Sequence, residues 1–190
     1  MEIIIHEGKT FKNTQFPDGE TKHREFEECT FENCDFSNTI FISTKFTDCV
    51  FTGCNLTMVK LDHCQLNNVD FTNCKLMGIN FSDCVTLPFI IKPVGCVMDY
   101  CSFAKKKMTK TKFVDCSMKS VDFSETDLSK SIFSNTDLKN AVFDRTILKE
   151  VNFLTAINYS IDPEINTIKK AKFSLYGVAG LLNKYDIIIE

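Results

Sequence analysis

The sequence predicts an all-β solenoid in which the chain turns a corner every five residues and closes a square coil every twenty. Two observations predict this fold. A bulky apolar residue recurs at every fifth position, and a small or β-branched residue stands two positions before it. A period of five matches neither the 3.6 residues of an α-helical turn nor the alternation of a single β-strand.

We call the bulky residue the centre, and it runs in two frames. The first frame continues without exception from Phe26 to Phe81, and the second from Met98 to Phe153. Residues 86–95 separate the frames and displace the second by two positions. The phenylalanine centres predicted to fill the core are Phe26, Phe31, Phe36, Phe41, Phe46, Phe51, Phe71, Phe81, Phe103, Phe113, Phe123, Phe133, Phe143 and Phe153.

One square coil cannot bury its own apolar side chains, whereas stacked coils bury a continuous column. From Met98 to Phe153, Phe alternates with Leu or Met, which predicts Phe on two opposite walls of the rod. Asp or Asn often directly precedes the centre, where its side chain can accept hydrogen bonds from the backbone of the corner.

The position two before each centre, the pre-centre position, carries all ten cysteines, and Lys106 is its one misfit. Cys34, Cys54 and Cys74 lie twenty residues apart and are therefore predicted to stack on one wall. A metal site needs four converging ligands, but a ladder presents thiols in single file. Because free cysteine packs as a small hydrophobe, we expect packing residues, no metal and no cofactor. Cysteine-rich composition with no export signal also predicts a reducing, cytoplasmic location.

No group of residues suggests catalysis. His6, His23 and His63 are separated in sequence and are interpreted as solvated surface histidines. A Gly-rich phosphate loop, a nucleophile elbow and zinc-ligand spacing are all absent from the sequence. We therefore expect no catalytic residues and a chain that is not an enzyme.

The outward positions carry the function, and their charge divides along the chain. Residues 1–86 hold 13 acidic and 7 basic side chains, and the remainder holds 12 acidic and 15 basic. The early coils form a candidate acidic partner surface. The later coils form a lysine wall of Lys107, Lys110, Lys130 and Lys149, and Lys105, Lys106 and Lys112 are expected near it. The acidic residues are Glu25, Glu27, Glu28, Glu32, Asp35 and Asp48.

Two segments depart from the repeat. Residues 86–95 contain two prolines and a glycine, and they either bridge the frame shift or project as a contact element. At the C-terminus, Ser174 is a plausible N-cap for a helix. That helix would cap the last coil or seal a twofold dimer. The candidate dimer contact is Leu175, Val178, Leu181, Leu182, Tyr185 and Ile187. The strand-like residues 2–5 are expected to cap the other end.

The pattern A/C/S/T/V–D/N–L/F–x–x resembles that of the pentapeptide-repeat family across residues 9–173. The resemblance implies a right-handed quadrilateral parallel β-helix over 1–173, with an irregular coil at 158–168 and a capping or dimerisation helix and strand over 174–190. The ending, in Ile161–Ile168 and from Phe173 through Ile189, is similar to that of the Qnr-type and microcin-immunity subgroup, whose members bind DNA gyrase or topoisomerase IV.

This resemblance implies a non-enzymatic protein that binds a type II topoisomerase as a DNA-mimic-like rod and protects it from quinolones or related poisons. It also implies a homodimer through the C-terminus. From the residues themselves we expect no membrane span, because Pro88, Lys92 and Pro93 interrupt the longest apolar stretch, and no direct nucleic-acid partner, because the acidic half would repel a phosphate backbone. The alternative is a generic protein-interaction scaffold whose partner is not a topoisomerase, because the surface charge is mixed.

Overall fold

The five-residue period folds into a continuous stack of square coils. A computed structural model describes residues 3–17 and 19–188 as a parallel β-solenoid of about eight turns, which confirms the predicted fold class. In these residues the strands β1 to β15 span Ile4–Glu7, Thr10–Lys12, Gly19–Lys22, Arg24–Glu27, Thr30–Glu32, Thr39–Ile42, Lys45–Thr47, Val50–Thr52, Lys60–Asp62, Gln65–Thr72, Phe89–Val94, Lys112–Val114, Ile132–Ser134, Asn152–Phe153 and Lys172–Phe173.

Every strand pairing is parallel and joins strands one coil apart. Phe31 of β5 is opposite Phe51 of β8, and Phe113 of β12 is opposite Phe133 of β13, so one coil contains twenty residues. Across the break the offset becomes twenty-two, because Phe71 of β10 is opposite Pro93 of β11. The backbone hydrogen bonds therefore run from coil to coil along the whole rod.

The centres form four inward columns, one for each wall of the rod. Opposite walls A and C carry most of the phenylalanines of the second frame, as the alternation predicts. Wall A has Phe11, Phe31, Phe51, Phe71, Pro93, Phe113, Phe133, Phe153 and Phe173; wall B has Phe16, Phe36, Leu56, Leu76, Met98, Met118 and Leu138; wall C has Thr21, Phe41, Leu61, Phe81, Phe103, Phe123 and Phe143; wall D has His6, Phe26, Phe46, Leu66, Phe89, Met108, Leu128, Leu148 and Ile168.

Neighbouring centres in a column stack face to face. The ring centroids of Phe31 and Phe51 are 4.5 Å apart, and those of Phe113 and Phe133 are 4.7 Å apart. Rings on adjoining walls meet edge to face, as Phe123 and Phe133 do at 5.9 Å. All fourteen phenylalanines predicted as core centres are buried. The column is thus packed by aromatic contacts both along and across the rod axis.

The residue two positions after the centre makes the corner, and its backbone adopts a positive φ. Asn33 has φ 52° and Lys110 has φ 62°, in the left-handed region. The residue before the centre supports the corner through its side chain: Asp35 Oδ1 accepts from the Ser37 N–H at 2.8 Å, and Asp127 Oδ1 accepts from the Ser129 N–H at 2.9 Å. These bonds explain why Asp and Asn recur directly before the centre.

The frame shift is absorbed just before β11. Cys84 still occupies a pre-centre position, and Phe89 is already opposite Leu66 on wall D. Ile91 and Pro93 then take the next pre-centre and centre positions, so both are buried. The extra residues therefore lie between Cys84 and Phe89, and the inner column passes the break without a gap.

The two ends of the rod differ from the predictions in detail. The N-terminal strand is Ile4–Glu7 and not residues 2–5; residues 1 and 2 lie outside the described part of the chain. At the C-terminus the predicted helix is replaced by two 3₁₀ helices, Val178–Leu181 and Asn183–Tyr185; a third covers Phe81–Asp83. Of the predicted closing strand, Ile187 and Ile188 are not in a strand, and Ile189 lies outside the described part of the chain.

Close packing on Tyr159 accounts for the short C-terminal turns. A Cβ on Gly177 would lie 2.2 Å from the Tyr159 hydroxyl, and one on Gly180 would lie 2.3 Å from the Tyr159 carbonyl oxygen. The Ile161 N–H donates to the Gly180 carbonyl at 3.0 Å. Two glycines in one short segment also disfavour an α-helix. The segment still covers the last coil, since Leu181 packs against the core.

Candidate interaction surfaces

The pre-centre side chains satisfy carbonyl groups inside the rod. The Thr126 hydroxyl donates to the Phe103 carbonyl at 2.8 Å, and the Cys54 thiol donates to the Phe31 carbonyl at 3.3 Å. In both pairs the acceptor is the centre that lies twenty-three residues earlier, one coil before. Cys, Ser and Thr recur at this position because they are small enough for the column and carry a donor.

The frame shift joins the cysteines of both frames into one column. Cys34, Cys54 and Cys74 continue into Cys96 and Cys116, because the Val97 N–H donates to the Cys74 carbonyl across the break. All ten cysteines are free and buried. Burial raises the pKa of Cys49, Cys64, Cys101 and Cys116 to about 12. In residues 3–17 and 19–188, no three potential metal ligands converge.

Lys106 is the exception in the predicted lysine wall, because its side chain points inward. It is 3% exposed, and its ammonium group donates to the Cys84 carbonyl. Its Nζ also lies 5.4 Å from the centroid of the Phe89 ring. Burial lowers the pKa of Lys106. The side chain therefore contacts both ends of the inserted segment, at Cys84 and Phe89. It does not contribute to the positive charge of the surface lysines.

His6 corrects the interpretation of the histidines as solvated. Its ring begins the wall D column and stacks on Phe26 with 4.8 Å between ring centroids. Burial, Lys9 and Arg24 lower the pKa of His6. Arg24 Nη1 lies 3.3 Å from His6 Nε2, so a protonated ring would meet a second cation at close range. His63, by contrast, is exposed at an outward position.

The six predicted acidic residues do not lie on a single wall. Glu25 pairs with Lys45 at 2.7 Å on wall D, and Glu32 pairs with Lys12 at 2.8 Å on wall A. Asp35 lies on wall B, where hydrogen bonds from Ser37 lower the pKa of its carboxyl.

The other three acidic residues lie together at the corner between walls D and A. Glu27, Glu28 and Asp48 are exposed. In the described residues none of these three carboxylates has an ion pair within 4 Å, although Asp48 accepts from the Asn68 amide. Glu28 and Asp48 occupy the same corner on successive coils, since the Glu28 N–H donates to the Thr47 carbonyl.

Exposed apolar side chains project from the register break on walls D and A. Leu87 is 66% exposed, Ile90 47% and Val94 41%. Ile90 and Lys110 line a shallow depression together with Thr109 and Thr111. Residues 86–95 therefore bridge the frame shift, since Phe89, Ile91 and Pro93 complete the core, while Leu87, Ile90 and Val94 lie at the surface.

The C-terminal segment holds the predicted dimer residues in two environments. Leu181 and Leu182 are half-buried against the last coil, whereas Leu175, Val178, Tyr185 and Ile187 are exposed. Lys184 fixes the segment by pairing with Asp162 at 2.8 Å and Glu164 at 2.6 Å. The predicted stripe is therefore not one continuous face.

The five-residue repeat of this rod matches known repeat families. Family models described as a pentapeptide repeat region and as pentapeptide repeats (eight copies) match residues 24–92, and 96–135 with 116–153, respectively. The chain belongs to the pentapeptide-repeat family, which is a scaffold family and generally non-enzymatic. A search of the curated proteins finds no match.

Solved structures with the same repeat are similar at low sequence identity. Trypsin-treated QnrB1, a plasmid-mediated fluoroquinolone resistance protein, is 19% identical over 98% of this chain and 99% of its own, with a TM-score of 0.49. HetL from Nostoc sp. strain PCC 7120, involved in heterocyst differentiation regulation, is 13% identical over 89% of this chain and 86% of its own, with a TM-score of 0.41. Among the described residues, no helix is long and apolar enough to cross a membrane.

We predict that Thr126→Val destabilises the rod by about 0.5–1.5 kcal/mol, because the buried hydrogen bond to the Phe103 carbonyl is lost while the side-chain shape is kept and the carbonyl retains the bond from the Lys106 N–H. Urea unfolding measures the change. Thr167→Val is the matched control: Thr167 is exposed, and its substitution is expected to change stability by less than about 0.5 kcal/mol. Equal effects of the two substitutions would contradict a structural role for the pre-centre hydroxyl.

We predict that acidification destabilises the first coil through His6. Its folded-state pKa is lowered, so the unfolded chain takes up the proton more readily. The stability from the neutral ring is complete above the unfolded pKa of about 6.5 and decreases as the pH falls toward the folded pKa.

The melting temperature as a function of pH, measured for His6→Phe beside the parent protein, tests this account of His6. The phenylalanine continues the wall D column and cannot titrate, so the acid-induced decrease is expected to shrink. His63→Gln is the control and should retain the decrease of the parent. An unchanged pH dependence in His6→Phe would show that other groups cause it.

Proposed function

We propose that this protein is a non-enzymatic, cytoplasmic rod that binds a type II topoisomerase, DNA gyrase or topoisomerase IV, and protects it from quinolones or related poisons. In this proposal the rod enters the enzyme's DNA-binding surface as a duplex would. The name of QnrB1 as a fluoroquinolone resistance protein indicates the drug class to test.

The exposed acidic corner of the early coils is the observation that carries this proposal. Glu28 and Asp48 repeat at the coil spacing of about 4.8 Å. One DNA strand carries a phosphate every ~3.4 Å of helix axis. A row of carboxylates at a comparable spacing is complementary to a basic DNA-binding groove and would steer association electrostatically. Glu27 extends the row onto wall D.

The C-terminal segment supports a proposed contact with a second copy of the chain. Leu175 is 85% exposed, Tyr176 97% and Ile188 89%, although they surround a segment that is itself anchored to the last coil. A twofold contact between two such segments would bury these apolar side chains and extend the rod end to end.

The mixed surface favours a second candidate function, a protein-interaction scaffold whose partner is not a topoisomerase. Lys12–Glu32, Lys45–Glu25 and Lys92–Asp70 pairs neutralise part of the acidic half, so the carboxylate row is short. One reproducible non-topoisomerase partner in affinity purification from host lysate, confirmed with purified components, would favour this candidate.

We predict that micromolar protein preserves DNA supercoiling by gyrase in the presence of a quinolone. Neutralising the acidic corner with Glu27→Gln and Glu28→Gln together should raise the concentration needed for protection by about tenfold, the equivalent of 1.4 kcal/mol. Asp62→Asn with Asp83→Asn is the matched control: it removes two charges from wall C and should leave protection intact.

The topoisomerase proposal is lost if the protein neither relieves quinolone inhibition nor alters supercoiling. If the protein protects gyrase but the acidic and control variants behave alike, the DNA-mimic part of the proposal is wrong.

A further inference from the structure

The edge between walls D and A separates its charges along the length of the rod. We call it the D–A edge and define it by its corner residues. They carry negative charge in the early coils, an apolar side chain at the break and mostly positive charge in the later coils. From the first coil to the last the corner residues are Gly8, Glu28, Asp48, Asn68, Lys110, Lys130, Glu150 and Lys170; at the break Ile90 takes their place as the single residue between the centre Phe89 and the pre-centre Ile91.

Beside the D–A edge, the outward residues next to the centres form one row on wall D and one on wall A. Both rows also change from negative to positive charge along the rod. On wall D the row begins with Glu7 and Glu27 and ends with Lys149 and Lys169. On wall A, Asp70 precedes the break and Lys112 follows it. Most of these charges lack a partner in the described residues; the exceptions are Lys92–Asp70 at 3.1 Å, and Lys130 and Lys149, each 3.9 Å from Glu150.

We propose that two copies of this chain pack side by side and antiparallel along the D–A edge, around a twofold axis at Ile90. Such an axis places each coil before the break opposite the coil that lies equally far after it in the partner. Asp48, two coils before Ile90, then faces the partner's Lys130, two coils after it. An isologous contact repeats the same pair on the other side of the axis.

The rows on walls D and A are also complementary in charge under this twofold rotation. Glu27 faces the partner's Lys149, and Asp70 faces the partner's Lys112. Val50, which is 36% exposed, faces the partner's Ile132. Like charges meet at two places: on the axis, Lys92, which pairs with Asp70 at 3.1 Å in its own chain, faces the partner's Lys92, and farther out Glu28 faces the partner's Glu150. The partner's Lys130 and Lys149 both lie 3.9 Å from that Glu150 and offset the repulsion.

The centre of this contact is apolar, which distinguishes a protein partner from a nucleic acid. Ile90 projects on the axis, so twofold symmetry brings its two copies together, and Leu87 is exposed nearby on wall D. A nucleic-acid phosphate backbone would leave the apolar side chains at the break exposed to solvent. It would also be repelled by Glu27, Glu28 and Asp48. A second copy satisfies the acidic, apolar and basic parts of the edge at once.

Side-by-side pairing goes beyond the proposed topoisomerase binding and does not depend on it. The contact would cover Glu27, Glu28 and Asp48, so self-association would compete with any basic partner that binds the acidic corner. Because the test uses this protein alone, its failure leaves the supercoiling assay unaffected.

Charge reversal at one pair tests the contact by sedimentation velocity. Asp48→Lys and Lys130→Glu should each raise the dissociation constant of the dimer by about tenfold or more, since each places two like pairs in the interface. An equimolar mixture of the two variants should dimerise again. In the mixed dimer the introduced lysine faces the introduced glutamate, and the native Asp48–Lys130 pair is kept on the other side of the axis. Dimerisation of the parent should weaken between roughly 50 mM and 500 mM salt.

Both substitutions are compatible with the fold. Lys110 and Lys130 already occupy equivalent corners with φ 62° and 63°, and Glu28 and Glu150 do so with φ 52° and 59°. Lys60→Glu on wall C is the control and should leave association unchanged. All measurements use a background carrying Leu175→Ser, Tyr176→Ser and Ile188→Ser, which removes the exposed C-terminal side chains.

A single introduced thiol locates the axis. All ten native cysteines are buried, so Ile90→Cys introduces one solvent-accessible thiol. This thiol should form an intermolecular disulfide under mild oxidation. Lys60→Cys should not. The proposal is wrong if the background protein stays monomeric at low salt, if the mixture fails to restore the dimer, or if Lys60→Cys cross-links as readily as Ile90→Cys.

Discussion

The structure depends on one constraint: each inward side chain must fit against the side chain that follows it one coil later. The backbone bonds between coils fix this register, and the Phe31–Phe51 and Phe113–Phe133 stacks show how closely the rings meet. Because the constraint applies at every coil, the inner positions tolerate few residue types. The outward positions carry no such requirement, so the surface is where members of the family can differ in function.

The pre-centre position adds a polar condition to this packing. Thr126 and Cys54 each fill a small space and donate to a carbonyl one coil earlier, whereas Val121 fills the same kind of position without a donor. At the break, where the inserted residues displace the backbone, the longer side chain of Lys106 reaches a carbonyl one coil earlier and donates to it. Small size together with a hydrogen-bond donor accounts for the accumulation of free, buried cysteine at this position.

Much of the fold could be predicted from the sequence because the period itself encodes the coil. The fourteen Phe centres, the coil of twenty and the frame shift all follow from spacing. The inward turn of Lys106 and the stacking of His6 on Phe26 could not be read from residue type, since they depend on the local backbone. An apolar stripe predicts a C-terminal helix, but close contact of Gly177 and Gly180 with Tyr159 favours 3₁₀ turns.

The central claim is that the inner column passes the register break intact, so that both frames form one rod. Native-state hydrogen exchange of the backbone amides tests it most directly. The account predicts that amides of Gln65–Thr72 and Lys112–Val114, on the two sides of the break, open with the same free energy, while the end coils open more readily. Two groups of amides with different opening free energies, divided at residues 85–95, would contradict it.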